Sequence, residues 1–210
     1  MWNPLDTSSD LTLSNENLTV EQTLGSNDWR TSRATTAKSS GKWYFEILLD
    51  VCPAGLEDMV IGLSDSALPL TTFVGNSPAS WSFHGPNGYT YHNGSATPYG
   101  NIWTQGDIIG CAFDMGTGRI WWAINNVWQN SGDPVAGTGY NYSNLAGTLY
   151  PAISMYRNGM KMTATFADDF LFYTPPVGYS PLEIIELTEP ILVFKREEIQ
   201  KVFVYVKEKG

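Results

Sequence analysis

An all-β fold, assembled as a two-sheet antiparallel β-sandwich or jelly roll, follows from three observations on the sequence. Short apolar runs recur with turn signals between them, the spacing of a sandwich and not of alternating strand–helix units. The chain carries 8 Trp, 11 Tyr and 20 Gly with only 16% charged residues; aromatic and β-branched residues suit a pleated surface, while Gly, Asn and Pro suit tight turns. No segment of the first 180 residues keeps a 3.6-residue apolar period, so little helix is expected. A length of 210 residues accommodates one sizeable core plus an appendage.

In chain order the expected strands are 10–14, 17–23, 42–50, 58–64, 80–84, 88–92, 107–113, 118–124, 149–156 and 160–166. The clearest pair is read from "GDIIGCAFDMGTGRIWWAINNVWQN", residues 106–130. Alternation puts Ile109, Cys111 and Phe113 on one face of a strand and Ile120, Trp122 and Ile124 on one face of the next. Those faces meet the core. The linking "DMGTG" reads as a Gly-rich hairpin, and Asn125-Asn126 makes the following turn because Asn tolerates a positive φ. Trp121 then shares the opposite face with Ala123, and Trp128 lies beyond the second turn; both are left open to roles outside the core, so Trp122 is expected to matter more for stability than Trp121. Residues 130–147, with four glycines, read as a long loop of the kind that more often serves function.

The net charge of −9 argues against a broad basic surface for nucleic acid or anionic membrane. The charge is uneven: residues 1–182 hold 7 Lys and Arg against 15 Asp and Glu, whereas 183–210 hold 5 against 6. That break divides the chain into a sandwich, 1–182, and a C-terminal extension, 183–210. Cys52 and Cys111 lack metal-ligand spacing, and Cys111 sits in an apolar strand as a small hydrophobe. No signal-peptide pattern and no apolar run long enough to span a bilayer is present, which points to a soluble chain made without a classical export signal.

Several motifs in order resemble the SPRY family. They are "GKWYFE" at Gly41–Glu46, Ile61-Gly62, the strand Gly106–Asp114, the turn at Asn125-Asn126 and Tyr150-Pro151-Ala152. The sequence departs from the family in having Asn126 where Gly is usual, and Trp121 where a small or polar residue is common. The resemblance covers about residues 1–180 and implies a bent, concanavalin-like sandwich used for recognition. The opening "WNPLDTSSDLTLSNENLTV" and closing "FYTPPVGYSPL" are similar to SPRY-like modules of tailed-bacteriophage virions. That second resemblance implies a module on the particle surface, in a tail, fibre or capsid, made in the host cytoplasm. Its partners would be a host surface glycan or receptor and other virion proteins, in a homo-oligomer for which a trimer is one option. A peptide-binding SPRY adaptor is the alternative, and a sandwich glycanase the third.

Catalysis has little support in the sequence. A glycanase needs two carboxylates flanking a scissile bond, and no run places two acids on one strand face; Asp58, Asp65, Asp107 and Asp114 mark strand ends, where turn carboxylates are common. His84 and His92 fit no nucleophile–base or metalloprotease spacing. The Asp-rich loop that usually marks calcium is missing, so no cofactor or metal is implied. Binding has more behind it. "WSFHGPNGYTYHNGSATPYGNIW" at 81–103 and the loop near 140 combine stiff apolar area with adaptable hydrogen bonding. The candidate ligand residues are Tyr91, His92, Tyr99, Trp128, Tyr140, Asn141 and Tyr142, acting through rings and not through ionised groups. Sequons at Asn17, Asn93 and Asn141 are expected by chance in so polar a chain. In the extension, "PILVFKR" and "KVFVYVK" are β-prone runs, with a short helix as the alternative. They expose enough apolar surface to make Ile191, Val193, Phe194, Phe203 and Tyr205 candidate assembly residues.

Overall fold

A computed structural model describes residues 1–23, 27–52 and 58–183. The strands in chain order are β1 (Trp2–Thr7), β2 (Leu11–Ser14), β3 (Thr19–Gln22), β4 (Arg30–Ala34), β5 (Lys42–Val51), β6 (Met59–Ser64), β7 (Ser80–His84) and β8 (Tyr89–His92), then β9 (Ser95–Pro98), β10 (Ile108–Asp114), β11 (Arg119–Ile124), β12 (Val127–Trp128), β13 (Tyr150–Met155), β14 (Lys161–Thr165) and β15 (Ser180–Pro181). The helical content of the described residues is two single 3₁₀ turns. A seven-stranded sheet runs β1-β4-β13-β6-β7-β8-β9. An eight-stranded sheet runs β12-β11-β10-β5-β14-β3-β2, with β15 lying parallel to the start of β5. The predicted all-β sandwich of two antiparallel sheets is the fold observed.

The core lies between the sheets, and period-two alternation fills it. Met59, Ile61 and Leu63 of β6 and Trp81 and Phe83 of β7 face Phe45 and Ile47 of β5, Ile109, Cys111 and Phe113 of β10, and Ile120 and Trp122 of β11, all essentially unexposed. Trp122 is locked by edge contact with Tyr99 at 5.6 Å and a tilted contact with Phe83 at 6.0 Å. Burial raises the Cys111 thiol well above its ordinary range, so the residue behaves as a small hydrophobe. The hairpin between β10 and β11 pairs Ile109 with Ile124 through to Asp114 with Arg119. Asp114 accepts from the backbone of Gly116 at 2.8 Å and from the Thr117 hydroxyl at 2.9 Å, which shapes the turn. Asn125 and Asn126 both have positive φ, 48° and 65°, so Asn serves where Gly is the family norm.

Two expectations need correction. Trp121 is on the face opposite Trp122, as alternation requires, yet it is only 1% exposed. Residues of the 130–147 loop and Tyr179 close over it: its indole N–H donates to the Thr138 carbonyl at 2.6 Å, and Tyr140 and Tyr179 meet its ring edge-on. Beneath this cover Gly110 is a place where no side chain fits, since a Cβ there would lie 2.6 Å from the Tyr44 hydroxyl. The second correction concerns strands that carry no apolar pattern, β4 above all. Its "RTSRA" is buried at every position, with Arg30 to Arg33 held by polar bonds and only Ala34 in the apolar core. The β-prone runs of the extension, with the candidate assembly residues Ile191, Val193, Phe194, Phe203 and Tyr205, lie outside the described residues. Leu182 still belongs to the core at 1% exposure.

Candidate functional site

The outer face of the seven-stranded sheet is built of small and polar residues: Thr31 and Arg33 on β4, Ala152 and Ser154 on β13, Gly62 and Ser64 on β6, and Ser80 and Ser82 on β7. Such a face cannot bury itself. It instead binds the backbone of the connection 65–79, which lies across it. The Arg33 guanidinium donates to the Leu68 carbonyl at 2.7 Å, and Thr31 donates to the carbonyls of Leu70 at 3.0 Å and Thr72 at 2.5 Å. The Ser82 hydroxyl donates to the Val74 carbonyl at 2.5 Å. The amides of Val74 and Gly75 donate to the Ser154 and Ser80 hydroxyls at 3.0 and 2.9 Å. Arg33 is charge-balanced by a two-pronged pair with Asp6 at 2.6 and 2.7 Å.

This fixed connection delivers Phe73 to the end of the sheet where β6, β7 and β8 leave an opening. There Trp29, Phe73, Tyr91 and His84 form a closed circuit of rings. Successive centroids are 5.2 Å apart for Trp29–Phe73, 5.6 Å for Phe73–Tyr91, 5.5 Å for Tyr91–His84 and 6.3 Å for His84–Trp29. They enclose, with Val60 and Asp58, a pocket of about 270 Å³. The four rings and Asp58 are half-buried, whereas Val60 is fully buried. Tyr156 backs Trp29 at 5.3 Å.

The polar groups of the pocket are oriented. Asn87 accepts from the Tyr89 amide at 2.9 Å and meets His84 Nδ1 through the same oxygen at 2.9 Å, so Nδ1 carries the imidazole proton and Nε2 is an acceptor. Burial holds His84 below its ordinary value, against the opposing effects of Asn87 and the Asp58 charge. The imidazole is therefore neutral at neutral pH. Arg157 binds Asp58 through one oxygen only, Oδ2, at 3.0 and 3.1 Å.

The sequence-predicted ligand residues are not gathered into one site: His92 and Tyr142 are neighbours, and Tyr99 and Trp128 line a shared open depression between the two sheets' edges near Gln129. Tyr91 is in the pocket. His92 stacks on Trp81 at 4.8 Å, and both its nitrogens are engaged, Nδ1 by the Ser80 carbonyl at 2.9 Å and Nε2 by Asn144 at 3.1 Å. Tyr142 packs beside His92, and Asn141 binds the Thr90 hydroxyl. Tyr99 is core, 7% exposed, its hydroxyl accepting from the Trp122 amide. Trp128 and Tyr140 belong to the other sheet, against Tyr44 and Trp121 respectively. The sequence alone does not join Trp29, Asp58, Phe73 and His84, because they come from separate segments. The one legible sign was Trp29, a lone aromatic in the polar run "SNDWRTSR".

Glu46 serves the fold. It is unexposed, and burial raises its carboxyl above the ordinary range. It accepts from the Tyr44 hydroxyl at 2.8 Å and from the amides of Phe172 and Tyr173 at 2.7 and 3.0 Å. The arrangement clasps the returning chain onto the eight-stranded sheet. Among the described residues, no group of three or more His, Cys, Asp and Glu is placed to hold a metal.

Two antiparallel sheets packed face to face, with almost no helix among the described residues, define a β-sandwich. The SPRY domain model matches residues 42–168, and the chain belongs to the SPRY family. It is 31% identical over 157 residues to E3 ubiquitin-protein ligase RKP of Arabidopsis thaliana, covering 72% of this chain and 11% of that protein. It is 30% identical over 181 residues to Ran-binding protein 10 of Danio rerio, covering 81% and 28%, and 27% identical over 146 residues to the dual specificity protein kinase splA of Dictyostelium discoideum, covering 67% and 6%. The chain thus spans less than a third of the length of these relatives. The SPRY domain of human HERC1 superposes with a TM-score of 0.64 at 20% identity, over 78% of this chain and 96% of that one; this likeness concerns the fold. SPRY domains mediate protein–protein interaction. The expected bacteriophage virion module is overturned, because these relatives are eukaryotic SPRY proteins. Its corollaries, a particle-surface location with glycan and virion partners, have nothing else to rest on.

Proposed function

We propose that this chain is a protein-interaction module that receives a side chain of a partner segment in the pocket between Trp29, Phe73, Tyr91 and His84. The observation that carries the reading is the closed circuit of half-buried rings on a sheet face whose other positions are small and polar. Aromatic anchor sites of this kind concentrate binding energy at protein interfaces. The relatives support recognition over catalysis: a ligase, a kinase and a Ran-binding protein share no reaction, yet each matches this chain.

The test is selection from a random peptide display library on the full chain, followed by affinity measurements with synthesised hits. Trp29→Ala and Phe73→Ala are expected to weaken binding by about tenfold or more, in the range for anchor residues, while Tyr140→Ala on the opposite sheet leaves it unchanged. Hits that tolerate both pocket variants, or that depend on Tyr140, would place the site elsewhere.

A further inference from the structure

The chemistry of the pocket selects what can enter it. A ring attracts a cation wherever it turns a face to the enclosed space, and is indifferent or repulsive to an anion there; the contacts of the circuit are tilted for Trp29–Phe73 and His84–Trp29 and edge-to-face for Phe73–Tyr91 and Tyr91–His84. The walls offer acceptors and few donors. His84 Nδ1–H is spent on Asn87, which leaves Nε2 as a lone pair. Asp58 Oδ1 has no partner among the described residues, since Arg157 uses Oδ2 alone. The Tyr91 hydroxyl already accepts from Asn87 at 3.2 Å. A neutral apolar side chain would fill the space but leave the carboxylate oxygen unpaired. A carboxylate would face Asp58. The surrounding charge acts in the same sense: residues 1–182 carry 15 acids against 7 bases, a balance that steers basic segments toward the surface.

Resting on the reading of this pocket as the partner site, we infer that it takes a basic side chain, lysine or arginine, from an extended segment of the partner protein. The cationic head lies among the rings of Trp29, Phe73, Tyr91 and His84, with Asp58 Oδ1 and His84 Nε2 as its acceptors. Lysine and arginine share the required chemistry, a cation with donors on a flexible stem.

The peptides selected on the full chain supply the probe. Resynthesised with Met or Gln in place of the shared basic residue, they are expected to lose about tenfold in affinity. The parent peptides are expected to weaken severalfold as salt is raised from about 50 to about 300 mM, because the shorter Debye length screens the half-exposed charge pair. Two variants separate direct contact from scaffolding. Asp58→Asn should weaken the basic peptides, whereas Arg157→Gln, which frees Asp58 from its internal partner, should leave them as tight or tighter. Equal loss in both variants would mean that Asp58 acts only by holding Arg157, and would overturn the inference. So would hits that need Trp29 and Phe73 but share an apolar or acidic residue; the pocket reading would then survive alone. Hits independent of Trp29 and Phe73 would remove both.

Discussion

The outer faces of the two sheets both carry aromatic rings, and they put them to opposite uses. On the eight-stranded sheet Trp121 and Tyr44 are covered by the chain itself, with Thr138, Tyr140 and Tyr179 laid over them. On the seven-stranded sheet the connection 65–79 stops short, and its last large side chain, Phe73, becomes the wall of an opening. An aromatic residue on an outward face is therefore neutral as a sign of binding. What decides is whether another segment of the chain has already taken the ring as its own core.

The sharpest way to break this comparison is on the covered face. Trp121→Ala is expected to cost about 3–5 kcal/mol, as for other large aromatics removed from cores, and to match Trp122→Ala, against the sequence-based expectation of a much smaller loss. Chemical melts of the two variants decide it, and a loss under half that of Trp122→Ala would mean the cover is loose. Next in size is Glu46→Gln. The amide offers one acceptor oxygen where the carboxylate offers two, so one of the amides of Phe172 and Tyr173 loses its partner, at about 1–3 kcal/mol. Faster amide exchange at these two residues is the accompanying signature; unchanged exchange would show that the clasp is not made by Glu46.

On the open face, Phe73→Ala should cost about 1 kcal/mol of stability, in keeping with a half-exposed ring, while binding to selected peptides falls steeply. A stability loss as large as that of Trp121→Ala would make Phe73 a core residue. The smallest effect is that of pH. His84 in the folded chain lies below 6.5, its ordinary value, so the unfolded chain takes up the proton first. Stability is complete above about 6.5 and declines as the pH falls through that value toward the lower folded one. His84→Phe keeps the ring and should flatten that part of the stability profile; an unaltered slope would assign the proton elsewhere.

Much of the sandwich was legible because alternation is a local signal. The pair β10–β11, with Trp122 turned inward and an Asn-Asn turn after it, is written in consecutive residues. Strand β4 was not, because "RTSRA" is buried through hydrogen bonds and ion pairs, which leave no apolar period. Trp121 shows the other limit: alternation fixes which face a side chain is on and says nothing about what later covers that face. The pocket lay furthest from view. Trp29, Asp58, Phe73, His84 and Tyr91 come from distinct segments; the pairing of β6, β7 and β8 gathers Asp58, His84 and Tyr91, and the pinned path of 65–79 adds Phe73. Of the residues singled out beforehand for binding, Tyr91 lies in the pocket; His92 and Tyr99 are engaged elsewhere by Ser80, Asn144 and Trp122.

The strands grip that connection by its main chain. Thr31, Arg33, Ser80, Ser82 and Ser154 all address carbonyls or amides of the connection, and Ser80 meets the Ser77 hydroxyl as well. The route of the loop is thus encoded in the sheet, while the identity of residue 73 is left to vary without rerouting it. Architecture and selectivity are written in different places, so exchanging Phe73 for another large side chain re-keys the lock without recasting its frame.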